Sequence, residues 1–125
     1  MAGRRVALAT WQFVRLMVRL EESRRQSGAR RSLYDAWRED WETLDAELEK
    51  LRRDDFGAFS ELMIDKEVVF ENVRPHHVET AAEMMTEVAD QLARDQKKAR
   101  GKKKDDLKFE ETELRDLAGE LGSRG

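Results

Sequence analysis

Residues 33–51 read LYDAWREDWETLDAELEKL, and this stretch decides the fold class. Leu33, Trp37, Trp41, Leu44, Leu48 and Leu51 recur at spacings of 4, 4, 3, 4 and 3, the period of one helical face held for nearly three heptads. Glu39, Asp40, Glu42, Asp45, Glu47 and Glu49 stand between them, so the same helix turns acidic flanks to solvent. Ser32, with Asp35 three residues on, has the pattern of an N-terminal cap and predicts that the helix starts there.

The segments on either side follow the same period. Residues 3–26 predict a first helix. Arg4, Arg5, Gln12, Arg15 and Arg19 fall within one arc about 100° wide, and Val6, Ala7, Ala9, Phe13, Val14, Met17, Val18 and Leu20 fill most of the remainder. An apolar arc that wide exceeds what one neighbouring helix covers, so this helix is expected at the centre of a bundle, inside an oligomer or on a membrane surface. Ser27 and Gly28 stop it. Asp54 and Asp55 cap a third helix that runs to Asn72 or Val73, with Phe56, Phe59, Leu62, Met63, Val69, Phe70 and Val73 as its apolar face. Pro75 suits the first turn of a fourth helix. Its stripe of Val78, Ala81, Ala82, Met85, Val88, Ala89 and Leu92 includes small residues that allow close approach, and Gly101 ends it. Beyond Gly101, Leu107, Leu114, Leu117, Ala118 and Leu121 mark a short amphipathic helix with too little apolar surface to fold unless it docks.

Composition supports an all-α reading. Of 125 residues, 39% are hydrophobic and 41% charged, with 7 Gly and 1 Pro, too little turn punctuation for a sheet-based fold. The expected architecture is a four-helix bundle-like core over residues 1–100. A flexible extension, residues 101–125, follows as a basic linker and a short fifth helix. The absence of cysteine excludes disulfides, thiolate metal sites and cysteine nucleophiles, and fits a cytoplasmic protein. Residues 6–20 have the outline of a signal segment, but Gln12, Arg15 and Arg19 interrupt it and it is too short and charged to span a bilayer. The first 20 residues are Arg-rich and acid-free, as mitochondrial presequences are, but the chain fits that pattern no further.

The net charge of −3 conceals segregation. Residues 1–31 carry a net +6, residues 32–96 a net −11 and residues 97–125 a net +2, which points to a charge-patterned partner or to self-pairing. Two basic clusters are candidates for contact with a nucleic-acid backbone: Arg15, Arg19, Arg24, Arg25, Arg30 and Arg31 near the start, and Lys97, Lys98, Arg100, Lys102, Lys103 and Lys104 near the end. No aromatic interleaves the lysine run, so binding there would be blind to base sequence. Glu79, Glu83 and Glu87 repel one another at i, i+4. They are a candidate interface stripe, complementary to the arginines of the first helix. Within its own helix, only Asp90 has a cation placed to pair with it, Arg94.

His76, His77, Glu79 and Glu83 gather at the start of the fourth helix. Di-iron bundles need Glu-x-x-His on two helices with further carboxylates; here the order is reversed and stands alone, so neither metal nor cofactor is expected. No glycine-rich phosphate loop, G-x-S-x-G or HExxH occurs, and neither an enzyme nor a small-molecule substrate is indicated. Tryptophan is enriched at interface hot spots. Trp37 and Trp41 stand one turn apart on the apolar seam, so core packing is their default reading. The alternative, a candidate protein interface, comprises Trp11, Phe13, Met17, Trp37 and Trp41, with Leu107, Leu114, Leu117 and Leu121 as a docking segment. The leading expectation is a non-enzymatic assembly or adaptor subunit that acts through self-association or a protein partner. The alternative is an accessory subunit of a nucleic-acid complex, and a membrane-surface protein comes third.

Overall fold

Val6 and Leu8 alternate with Ala7 and Ala9, and this period of two, rather than the helical arc, governs the start of the chain. The structure, a computed structural model, describes residues 3–23 and 28–123. The described residues form strand β1 (Arg4–Ala9), helix α1 (Thr10–Ser23), helix α2 (Gly28–Asp54), helix α3 (Phe56–Asp65), strand β2 (Glu67–Val73), helix α4 (Pro75–Gln96) and helix α5 (Lys102–Ser123). The protein is mostly helical, with one small two-stranded sheet. It divides into two compact units, residues 1–74 and 75–125; the boundary expected at residue 100 falls inside the second, at the turn between α4 and α5.

In the first unit, two of the expected helices give way to strand. β1 pairs antiparallel with β2 in the register Val6↔Phe70, Ala7↔Val69, Leu8↔Val68 and Ala9↔Glu67, with an irregularity between Arg4 and Val6. Val6 and Leu8 are fully buried while Arg5 is exposed, and Arg5 Nε meets Glu71 Oε1 across the strands at 3.3 Å. The β-branched pair Val68 and Val69 favours an extended backbone, so the chain leaves the helical path at Lys66 (φ −103°, ψ 155°). Asn72 adopts φ +54°, a left-handed conformation that asparagine tolerates better than most residues. Gly3 lies directly on the Asn72 backbone, where a Cβ would collide with the Asn72 carbonyl.

The strand hands over to α1 through a dedicated start signal. Gln12 Oε1 accepts from Ala9 N at 2.9 Å, the backward half of a capping box. Thr10 N and Oγ1 both donate to Lys66 O, at 3.0 and 3.1 Å, so the helix start is fastened to the end of α3. α1 then buries Phe13, Leu16, Met17 and Leu20 completely, each contributing about 1.5–3 kcal/mol relative to exposure. The buried arc, from Gln12 round to Thr10, spans about 160°. It is narrower than expected because Val18 faces outward. The predicted end of this helix at Gln26 lies outside the described residues.

α2 begins a turn earlier than its predicted Ser32 cap and carries the predicted seam. Leu33, Trp37, Trp41 and Leu48 are buried, and Leu44 and Leu51 half-buried. The core is aromatic at its centre. Trp37 stacks on Phe70 with ring centroids 4.4 Å apart and planes 8° from parallel. Phe13 lies against Phe70 at 5.4 Å, Trp41 at 6.1 Å and Trp37 at 6.2 Å. Asp55 caps α3, its Oδ1 accepting from Ala58 N at 3.1 Å.

The second unit is a helical hairpin. Pro75 occupies the first helical position of α4, and Gly101, at φ +63°, turns the chain. α5 is a full 22-residue helix packed along α4 rather than a short, flexible element. Leu114, Ala118 and Leu121 are buried and Leu107 and Leu117 half-buried along one stripe.

Candidate functional site

α3 is the most apolar helix of the chain and contains no buried residue. Phe56 is 66% exposed and Ile64 67%. These two and Ser60 share one face, at a spacing of four. Phe59 and Met63 flank them, half-buried. Phe56 stacks on Phe59 at 5.6 Å, and the Arg52 guanidinium sits over the Phe59 ring at 5.3 Å. Val69, 41% exposed, is on the face of β2 opposite Phe70. Charges close both ends of the helix: Arg52, Arg53, Asp54 and Asp55 before it, and Asp65, Lys66 and Glu67 after it, all exposed.

The residues expected to form a protein interface lie elsewhere. Phe13, Met17, Trp37 and Trp41 are core residues of the first unit, and Trp11 is half-buried. Leu114 and Leu121, with Leu107 and Leu117 at their sides, belong to the stripe that α5 lays on α4. Phe56 was hidden in the sequence because the strand residues 68–73 prolong the apolar spacing of α3: read as one helix, residues 56–73 show a single continuous face that takes in Phe56. Ile64 lies about 80° beyond that face, and no signal in the sequence marks it as exposed.

The basic clusters separate into two kinds. Arg15 and Arg19 are half-buried on α1, and Arg19 Nη1 reaches Glu22 Oε2 at 3.5 Å. Arg31 approaches Asp35 at 3.9 Å and Arg30 is half-buried; Arg24 and Arg25 lie outside the described residues. By contrast, Lys97, Lys98, Arg100, Lys102, Lys103 and Lys104 are all exposed at the hairpin tip, and among the described residues none of them forms an ion pair. The tip holds an open cleft of about 420 Å³ lined by Asp95, Lys98, Ala99, Arg100, Lys103 and Leu107.

Glu79 and Glu83 are exposed on α4, and Glu87 is half-buried with a partner. Asp90 pairs with Arg115 of α5 at 3.0 Å, not with Arg94, whose Nη2 donates to Gln91 Oε1 instead. Arg115 Nε also donates to Glu111 Oε2 at 2.8 Å, and Gln96 Nε2 donates to Glu111 Oε1 at 2.6 Å. The Arg115 guanidinium, and after it the Gln96 amide, hold the Glu111 carboxyl below its ordinary value. This network latches the hairpin. The His76 and His77 rings lie 4.2 Å apart, and among the described residues no group of three or more His, Asp or Glu could hold a metal ion. No described helix is long and apolar enough to cross a membrane. Compared with protein-family models, curated proteins and solved structures, the chain matches none.

Proposed function

We propose that this protein is a non-enzymatic, cytoplasmic assembly subunit that pairs with a second copy of itself through α3. The observation that carries this reading is the exposure of Phe56 and Ile64 on a helix with no buried residue. Exposed aromatic and aliphatic side chains on one face are the usual material of an interface core. Charge favours a second copy as the occupant. An antiparallel two-fold pairing of α3 with its mate brings the segment 52–55, two cations and two acids, to the mate's segment 65–67, one cation and two acids. Each end holds both signs, so opposite charges can pair there, which an isologous contact permits. Such pairing adds a fourth helix to α1, α2 and α3, a bundle-like core completed between copies.

Light scattering on the full chain after gel filtration tests the reading. The expected mass is twice the 14.6 kDa of one chain, falling to one chain in Phe56→Asp and Ile64→Asp variants that keep their helical spectrum. A monomer at the highest soluble concentration overturns it, and so does a dimer unaffected by both substitutions.

A further inference from the structure

We propose that the tip of the α4–α5 hairpin binds the phosphate backbone of nucleic acid without regard to base sequence. This inference rests on a surface separate from α3.

Six cations occupy eight residues, 97–104, with no acid among them. The fold gathers them at one end of a two-helix unit instead of stringing them along a linker. The acids that follow, Asp105 and Asp106, do not neutralise them: no ion pair joins any of the six to a described carboxylate. Lys102, Lys103 and Lys104 also form the first turn of α5, where the helix dipole favours anions and disfavours cations. Asp105 offsets part of this within the same turn, and Lys97, Lys98 and Arg100 follow the C-terminus of α4, where cations suit the dipole. What costs the free protein stability is the crowding of six like charges and the three lysines at the start of α5, an arrangement expected of a functional surface. Lys98, Arg100 and Lys103 line the open cleft of about 420 Å³ together with one acid, Asp95, and with Ala99 and Leu107 as its apolar lining, so cations outnumber acids there three to one.

The composition of the tip selects the class of partner. Protein interfaces are depleted in lysine and anchored by aromatics, and residues 97–104 hold no aromatic and no large apolar residue. Phe109, 61% exposed, stands further along α5, and one such side chain is little to insert into a bilayer. Lysines are flexible point charges suited to phosphates. Two packed helices are about 20 Å across, and duplex DNA carries one charge per roughly 1.7 Å of its axis, so a duplex laid on the tip offers phosphates to several of the six cations at once.

Fluorescence anisotropy of a labelled 20-base-pair duplex of mixed sequence, titrated with the full chain, tests the proposal. If four of the six cations engage, affinity falls about 150-fold between 50 and 200 mM salt. The triple variant Lys102→Ala, Lys103→Ala, Lys104→Ala removes most of that salt dependence and weakens binding more than about tenfold at the lower salt. Its alanines suit a helix start better than lysines there, so the fold is kept. A matched triple variant at exposed arginines off the tip (Arg5→Gln, Arg38→Gln, Arg74→Gln) leaves affinity within about twofold. Equal loss in both triple variants, absence of binding at 50 mM salt, or binding to phosphatidylserine vesicles but not to the duplex each overturns the proposal.

Discussion

Trp37 and Phe70 come from a helix and a strand that the sequence alone did not bring together, so their energetic coupling tests the architecture of the first unit. Trp37 is 4% exposed, and its ring stacks on Phe70 at 4.4 Å and 8°. The perturbation is a double-mutant cycle of Trp37→Leu and Phe70→Leu. Leucine keeps much of the apolar volume while abolishing the ring contact. Phe70→Leu at a half-buried site costs about 1–1.5 kcal/mol, and Trp37→Leu about 2–3 kcal/mol, short of the 3–5 of a full truncation to alanine. Stacked aromatic pairs are worth roughly 0.5–1.5 kcal/mol beyond the area they bury. The double variant should therefore be more stable than the sum of the singles implies, by about 1 kcal/mol. Urea unfolding followed by far-ultraviolet circular dichroism measures all four corners without relying on tryptophan emission. The stacked geometry of Trp37 on Phe70 depends on β2 holding Phe70 over α2. Additivity within about 0.3 kcal/mol would falsify the stacking of Phe70 on Trp37 and with it the placement of β2 over α2.

Three further outcomes follow from the same geometry. Gly3→Ala should destabilise the protein by about 1–3 kcal/mol, because its Cβ collides with the Asn72 backbone; a helical start would instead gain up to about 1 kcal/mol from the same change, so the sign of the shift in thermal midpoint decides. Folding lowers the Glu111 pKa from its ordinary 4.5, so the latch contributes stability above that value and loses it as pH falls through the lower folded value. Thermal unfolding from pH 7 to pH 3 should show that loss in the parent chain and a flatter profile in Arg115→Met, and identical profiles would refute the latch. Replacing Lys102, Lys103 and Lys104 with alanine should raise stability by roughly 1 kcal/mol in low salt, since cations leave a helix start and better helix formers enter it; a fall would mean that these lysines make contacts within the fold.

The sequence was most informative where one period had no competitor. The seam from Leu33 to Leu51 is buried as its spacing required, Asp55 caps α3 and Pro75 opens α4. It misled where two periods overlapped. Val6, Ala7, Leu8 and Ala9 satisfy both a wide helical arc and a strict alternation, and residues 68–73 continue the apolar spacing of α3 while alternating Val68 and Phe70 inward. The local signals that resolve the conflict are small: Gln12 three residues after Ala9, the paired β-branched Val68 and Val69, and Asn72 with its left-handed φ near the end of β2. The decisive cause is not local, because a two-stranded sheet is marginal by itself and each strand is held by the other and by the aromatic core beneath.

That dependence explains why the candidate surfaces were less legible than the fold. A sequence shows which residues are apolar, but only pairing shows which of them have already found a partner. Trp37 and Trp41 suit a core or an interface by residue type, and it is Phe13 and Phe70 that cover them. Phe56 belongs by spacing to an apolar face expected to be buried, yet it stands exposed with Ile64. The lysine run carried over intact because charge is read directly, and folding supplied only its concentration at one end of the hairpin. Among the described residues, the α3 face and the hairpin tip are of opposite chemistry and lie in different units. A single partner of one chemistry therefore does not account for both, and the two proposals, a second copy at α3 and a phosphate backbone at the tip, stand or fall separately.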